Sequence, residues 1–419
     1  MRGKKIINRK NMSISKNIKK FSEPDYVYIP LISYNNTIFN IKVKPSDYVL
    51  KGEVLAVSDD KFAFPIHSSV SGTVKGIEKH SYIDNTLIDT IVIENDFLEK
   101  EKKIGSVKKI NNYTIEEVIE LLKNSGVVGM SGTNYPTYYK YGTELKINTL
   151  IVNAVEAESY LTCDFTILNS KTSEILETID ALLEIFNINE CIIAVKDFNK
   201  KAIDDLIQYI GSYPKIKIRS VPDSYTMGWD KYLVKYLLNL DVKNNTMEKS
   251  VLVNNVSTIY SIYEALKHRK PIIDRIVTFS GPGIKKPQNV LVKVGTKVSD
   301  VINFIGGIKK GNYKTIINGP MMGKMVDNDA IITKNTTGIV FLEELNNNEV
   351  ECINCGKCTN ICPVRLAPVL IKDNQNNEKI LEKLNPKKCI ECGLCSYICP
   401  SKIKLRDIII STKEKVSDK

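Results

Sequence analysis

Apolar and polar residues change their spacing repeatedly along this chain, and each change marks a different kind of element. From Tyr26 to about Asn95 the apolar positions alternate or come in short runs: Tyr26–Ile32, Ile38–Val43, Glu53–Val57, Gly72–Ile77 and Ile91–Glu94. Asn35-Asn36, Pro45-Ser46-Asp47 and Ser71-Gly72 interrupt them, so short β-strands joined by turns are predicted. The period then lengthens. Thr114–Lys123 sets Ile115, Val118, Ile119 and Leu122 at helical spacing, with Thr114 as N-cap and Glu117 completing a capping box. Strand Leu150–Asn153, helix Ser173–Phe186, strand Cys191–Val195, helix Lys200–Ile210, strand Lys215–Ser220, helix Tyr232–Leu240 and strand Val251–Asn255 follow in alternation. That order predicts a parallel sheet with covering helices. From Ile272 onward, Arg275–Ser280, the turn Gly281-Pro282-Gly283, Asn289–Val294 and helix Val298–Ile305 predict a small α+β unit of the β-grasp kind.

Two fragments of the β-rich part, Val43-x3-Asp47-x-Val49-x2-Gly52-x-Val54-Leu55-Ala56 and Ser68-x-Val70-Ser71-Gly72-Thr73-Val74, resemble the halves of a lipoyl/biotinyl-like barrel-sandwich module. Such a module either carries a modified lysine, for which Lys61 is the nearest candidate, or is purely structural. The context of Lys61 favours the structural reading, and His67 reads as a packing or hydrogen-bonding residue. Between the first helix and the sheet runs Gly126-Val127-Val128-Gly129-Met130-Ser131-Gly132-Thr133-Asn134-Tyr135-Pro136-Thr137. A glycine-rich loop lets backbone amides approach an anionic or planar ligand, though an ordinary turn has the same composition. Asn153, Glu156, Glu158 and Asp164 crowd polar groups at the end of an apolar strand, which suits a pocket at the carboxyl edge of an α/β sheet.

Chemistry is most explicit near the end. Cys352, Cys355, Cys358 and Cys362-Pro363, then Cys389, Cys392, Cys395 and Cys399-Pro400, repeat C-x2-C-x2-C-x3-C-P and use eight of the ten cysteines. That is the two-cluster ferredoxin run, in which thiolates hold [4Fe–4S] cubes and the fourth cysteine of each run ligates the other cube. The expected sets are Cys352, Cys355, Cys358 and Cys399, and Cys389, Cys392, Cys395 and Cys362. The alternatives are structural zinc or disulfides; zinc would leave the third cysteine and the fourth before proline of each run unexplained. Gly319-Pro320-Met321-Met322-Gly323 is a tight apolar turn suited to pack against the clusters, and Asn346–Asn348 reads as the linker into them.

Composition changes this picture little. With 419 residues, 43% hydrophobic and 26% charged, the chain is an ordinary multidomain globular sequence. No apolar run approaches the ~20 residues of a membrane span, and Met1–Lys20 lacks the apolar core of a signal peptide. Clusters and the unpaired Cys163 and Cys191 suit a reducing cytoplasm. The net charge of +11 fits an acidic redox partner or a lysine-rich solvated surface, and part of it sits in Met1–Lys20, which reads as a loosely attached tail. No zinc-finger, helix-turn-helix or RRM signature supports nucleic-acid binding.

From Tyr26 to Arg406 the order of modules resembles the C subunit of the Rnf ion-translocating ferredoxin:NAD oxidoreductase. The resemblance rests on Gly129-x2-Gly132-x2-Tyr135-Pro136-Thr137-x2-Lys140, on Asn153-x2-Glu156-x-Glu158-x-Tyr160-Leu161-Thr162-Cys163-Asp164, on Gly319–Gly323 and on both cysteine runs. It implies a multidomain α/β and α+β architecture: a tail over 1–24, a barrel-sandwich hybrid over 25–110, a Rossmann-like FMN/NADH-type α/β domain over 111–270, an SLBB β-grasp unit over 271–335 and a two-cluster [4Fe–4S] domain over 336–412. It further implies FMN and NADH bound near Gly129, Gly132, Lys140, Asn153, Glu156 and Glu158. Electrons would pass through two [4Fe–4S] clusters to or from a ferredoxin or other Rnf subunits, in the cytoplasm or peripherally on the cytoplasmic face of the membrane. Ser131, Thr133, Asn134, Ala154, Ala157 and Ser159 depart from the family pattern on the NADH side. The departures keep two further readings open: an Rnf-C-like protein feeding a dedicated reductase of the proline reductase or cobalamin reductase type, and a flavin-free adaptor.

Overall fold

The computed structural model describes residues 5–14, 17–21, 23–34, 38–83, 85–102, 107–198, 200–243, 245–344, 348–413 and 415. In the β-rich part, Leu87–Asn95 pairs antiparallel with Tyr26–Pro30 and Gly72–Ser81, and Tyr48–Val49 completes that sheet. Asn40–Ile41, Val54–Val57 and Ile66–His67 form a second sheet. Alternation turns Val27 and Ile29 inward to meet Leu55, Ile66 and Ile93 in one core. The turn that carries Lys61 is docked, not free. The Tyr138 phenol donates to the Lys61 and Ala63 carbonyls at 2.6 and 2.9 Å, and the Phe62 ring lies 4.7 Å from that of Tyr139. A docked turn supports the structural reading of this module.

The α/β domain is a four-stranded parallel sheet ordered Ile216–Val221, Glu190–Lys196, Thr149–Ala154, Val251–Asn255. Because side chains alternate, Leu150, Val152 and Ile193 pack with helices Thr172–Ile185 and Val256–His268. Ile151, Ile192 and Ala194 face Leu233 and Val234 of helix Asp230–Leu238 on the other side. The capping box holds as expected at Ile115–Asn124, with both the Thr114 and Glu117 bonds formed. Several helices escape the pattern reading, two of them central to this domain. Cys163–Ser170 buries most of its circumference, so no 3.6-residue stripe shows, and Val256–His268 opens on β-branched residues that read as continued strand.

The third sheet is larger than expected. Its order is Lys19–Phe21, Gln288–Lys293, Asp274–Ser280, Gly338–Glu343, Tyr313–Ile317, Lys324–Val326. The unit therefore takes a strand beyond residue 335 and another from the N-terminus, Lys19–Phe21, parallel to Gln288–Lys293. The loosely attached tail is likewise corrected for the residues described. The Tyr160 amide donates to the Asn8 carbonyl at 3.0 Å, the Ser13 and Thr162 hydroxyls meet at 2.8 Å, and Lys10 is 4% exposed. The expected linker falls largely on residues outside those described. In the cysteine-rich part, short helices Lys357–Ile361 and Leu394–Ile398 follow left-handed Gly356 and Gly393 and end at Cys362 and Cys399, so the sequence repeat is also a structural one. Among the described residues no helix is long and apolar enough to cross a membrane.

Candidate functional site

The eight repeated cysteines line two separate cavities. One is bounded by Cys352, Cys355, Cys358 and Cys399, the other by Cys362, Cys389, Cys392 and Cys395. Each set takes three thiols from one run and the fourth from the other, the exchange expected for a paired-cube fold. No three His, Cys, Asp or Glu side chains among the described residues converge on a single ion; the thiols ring spaces instead. Backbone amides point at sulfur in both sets: Asn354 at Cys352 (3.4 Å), Glu391 at Cys389 (3.3 Å) and Leu366 at Cys362 (3.3 Å). Such amides stabilise thiolates and suit [4Fe–4S] cubes. Burial first, with the neighbouring thiols adding and backbone amides opposing, pushes the Cys392 and Cys395 thiols up to about 11 and about 12.

The two cavities face different ways. Cys392 and Leu394 pack with Tyr225, Met321 and Ile361, with Trp229 alongside, which places the Cys362 set against the α/β domain. The Cys352 set opens outward, with Ile353, Asn354 and Cys355 exposed. The Gly319–Gly323 turn packs against the inner set, as expected. Arg406 donates to the Met322 carbonyl at 2.8 Å, and a Cβ on Gly393 would collide with the Met321 carbonyl oxygen. Gly393 is also left-handed, φ 77°. Gly393→Ala is therefore expected to cost about 1–3 kcal/mol in backbone strain and contact and to lower occupancy of the inner cluster. Iron content and EPR of the reconstituted variant check this; full occupancy of both clusters would refute it.

Glu158 belongs to this contact. Its carboxylate accepts from the Met321 and Met322 amides (3.0 and 2.9 Å) and from the Tyr225 phenol (3.1 Å), while burial holds it above the ordinary carboxylate range. These bonds make it a clamp between the strand end and the turn.

Around the glycine loop the other candidates draw together. Gly129 donates to the Tyr135 carbonyl at 2.8 Å and Asn134 back to that of Gly129 at 3.2 Å, so the loop closes on itself. A Cβ on Gly129 would collide with Thr133 Oγ1, which fixes glycine there. At the exposed tip Gly132 has φ 100°, and the amides of Ser131, Gly132 and Thr133 have no hydrogen-bond partner among the described residues. Lys140 Nζ lies 6.0 Å over the Tyr135 ring and donates to the Val253 carbonyl at 3.1 Å. Asn153 donates to the Gly228 carbonyl at 3.1 Å, and Lys140 and Asn153 both act on Asp230, whose carboxyl burial pushes up against their pull. Asp230 thus joins Lys140 and Asn153 at the sheet's carboxyl edge, while the open amides lie at the tip of the glycine loop.

Glu156 goes elsewhere. Its Oε1 accepts from the Cys163 thiol (3.4 Å) and the Asp164 amide (3.3 Å); its Oε2 has no hydrogen-bond partner and lies 3.8 Å from Lys10 Nζ. Burial raises this carboxyl, with Lys10 opposing. Lys10 also donates to the Glu158 carbonyl at 2.7 Å and to that of Leu161. Asp164 accepts from Asn255 (2.7 Å) and Ser257 (2.5 Å), and Cys163 is a buried thiol raised by burial, in line with a structural role. Sequence reading missed Lys10, Asp230, Asn255 and Arg275. Only Asn255 left a signal, since it ends an apolar strand as Asn153 does.

Four family models match the chain: an RnfC barrel sandwich hybrid domain over residues 1–98, a Nuo51 FMN-binding domain over 122–264, an SLBB domain over 276–324 and a 4Fe-4S dicluster domain over 351–403. The C subunit of the proton-translocating ferredoxin:NAD(+) oxidoreductase complex of Clostridium ljungdahlii is 31% identical over 373 residues, covering 86% of this chain and 81% of that protein. The C subunit of the ion-translocating oxidoreductase complex of Rhodobacter capsulatus is 30% identical, covering 86% and 71%. The Haemophilus influenzae (strain PittEE) counterpart is 30% identical over 81% of this chain, which spans 54% of its length.

Proposed function

The chain belongs to the RnfC family, and from that premise we propose that it relays electrons between NAD(H), by way of FMN in the α/β domain, and a one-electron partner reached through both clusters. The observation that carries this reading is the orientation of the cysteine sets. The Cys362 set packs on Tyr225 and the Glu158 clamp of the FMN-binding domain, and the Cys352 set ends at exposed Cys355. The order is therefore flavin domain, inner cluster, outer cluster, partner. FMN, when bound, converts between a two-electron donor and single-electron carriers. The residues of the chain do the rest. Lys140 and the amides of residues 131–133 hold an anionic group, and Asn153 and Asp230 fix the strand end beside it. Tyr225, Met321 and Leu394 keep water from the junction with the inner cluster. The partner is a ferredoxin or another subunit of an ion-translocating complex, with the chain held peripherally through it on the cytoplasmic face of the membrane.

Protein reconstituted without oxygen is expected to release about one FMN per chain on denaturation, and stopped-flow mixing with NADH to bleach the flavin before the clusters. Released iron without flavin would leave a flavin-free adaptor. A second reading is favoured by one observation: Thr133 lies on Gly129 and Ser131 adds an exposed side chain where the family has glycine, narrowing the approach of a nicotinamide. In that reading the chain takes electrons from a redox protein and feeds a dedicated reductase. Flavin that NADH leaves unbleached but a reduced ferredoxin bleaches would establish it.

A further inference from the structure

Behind the glycine loop lies a pocket of about 190 Å³, between helix Val256–His268 and the large sheet. Met130, Ile167 and Arg275 form its buried floor, and Tyr260, Ile276 and Leu291 its walls. Lys140, Asn153 and Asp230 do not line it, so it is separate from the anion-binding edge. Its polar groups are nearly all engaged. Tyr260 donates to Glu264 (3.1 Å), Lys270 meets Glu264 (3.0 Å) and Asp274 (2.8 Å), and Ser261 donates to the Ser257 carbonyl (2.9 Å).

Arg275 is different. It is 4% exposed, its Nη2 donates to the Met130 carbonyl at 2.6 Å and its Nη1 to the carbonyl of Lys334. Its Nε–H has no hydrogen-bond partner among the described residues. A buried donor beside a cavity is a recognition point for an acceptor. The sign of that acceptor follows from the neighbours. Cys163 and Asp164, the latter held by Asn255 and Ser257, already act on the guanidinium, so a carboxylate would add a further acidic group to the same buried place. A neutral carbonyl would not. Tyr260 on the wall and the Met130 thioether on the floor, 3.5 Å from Arg275 Nη1, favour an aromatic ring.

We propose that this cavity binds a planar apolar carbonyl compound, whose carbonyl oxygen accepts Arg275 Nε–H while its ring lies between Met130 and Tyr260. The site does not depend on the flavin reading. Because Arg275 also holds the Met130 carbonyl, an occupant supports the glycine loop from behind.

Coumarin is the probe, with indene as its analogue lacking the acceptor, titrated by saturation-transfer NMR against the full chain carrying its clusters. Coumarin is expected to bind saturably, and Leu291→Trp, which fills the cavity, to abolish binding of both compounds. Arg275→Lys keeps the charge but loses the Nε–H, and is expected to weaken coumarin about tenfold while leaving indene unchanged. If Leu291→Trp does not fold, Ser261→Phe fills the space from the helix side. No saturable coumarin binding, binding that survives the filled cavity, or equal effects of Arg275→Lys on both compounds would overturn the proposal.

Discussion

Replacing Cys399 with alanine is expected to remove the cluster held by Cys352, Cys355 and Cys358 and to leave the other in place. Cys399 lies in the second run, yet it lines the cavity of the first. Dithionite-reduced Cys399→Ala should therefore keep one EPR signal and about half the iron, roughly four atoms per chain. The surviving cluster should be the one packed on Tyr225, so flavin-to-cluster transfer should persist while delivery to an outside acceptor falls by orders of magnitude. Cys362→Ala should do the reverse, removing the inner cluster and stranding electrons at the flavin. Loss of the Cys389, Cys392 and Cys395 cluster in Cys399→Ala would mean that each run holds its own cube, and the proposed order would fall with it.

Lys10→Met is expected to destabilise the protein by about 3 kcal/mol or more. The ammonium is buried, serves the carbonyls of Glu158 and Leu161, and is the cation nearest an otherwise unpartnered oxygen of Glu156. Removing one member of a buried pair leaves the other uncompensated. The deficit should depend on pH with a definite sign. Burial already holds Glu156 above the ordinary 4.5, and loss of Lys10 raises it further. A carboxyl with a raised folded value contributes stability below its unfolded value and loses it as pH rises through the folded one. The variant should thus be nearest to the wild type in acid and fall furthest behind at neutral pH. Arg9→Met, at the exposed neighbouring position, is the control and should change stability by no more than about 0.5 kcal/mol. Urea midpoints of the two variants that coincide across pH would show that the buried ammonium carries no such weight.

How far the sequence was legible depends on how local each signal is. The capping box, the strand–helix alternation and the cysteine runs rest on residues a few positions apart, and the structure holds them close to where the pattern put them. The helix Cys163–Ser170 carries no amphipathic stripe because it is enclosed on most sides, so periodicity could not reveal it. The carboxylates illustrate the limit best. Glu156 and Glu158 read alike, two acidic residues past a strand end. One is turned into a buried pair with Lys10 and the other onto the turn at Met321 and Met322. Nothing within their own segment separates these fates.

By itself, then, the sequence determined the two cysteine runs expected to hold the clusters and the order in which the modules follow. Cluster ligands must reach one cube from a short stretch of chain, so their chemistry is written at fixed spacing. Only the tertiary structure decided which cysteine set faces the flavin domain and which polar groups serve packing instead of chemistry. Those outcomes join residues as distant as Lys10 and Leu161, 151 positions apart. A buried charge takes whatever partner the fold brings within reach, and that choice leaves no pattern along the chain.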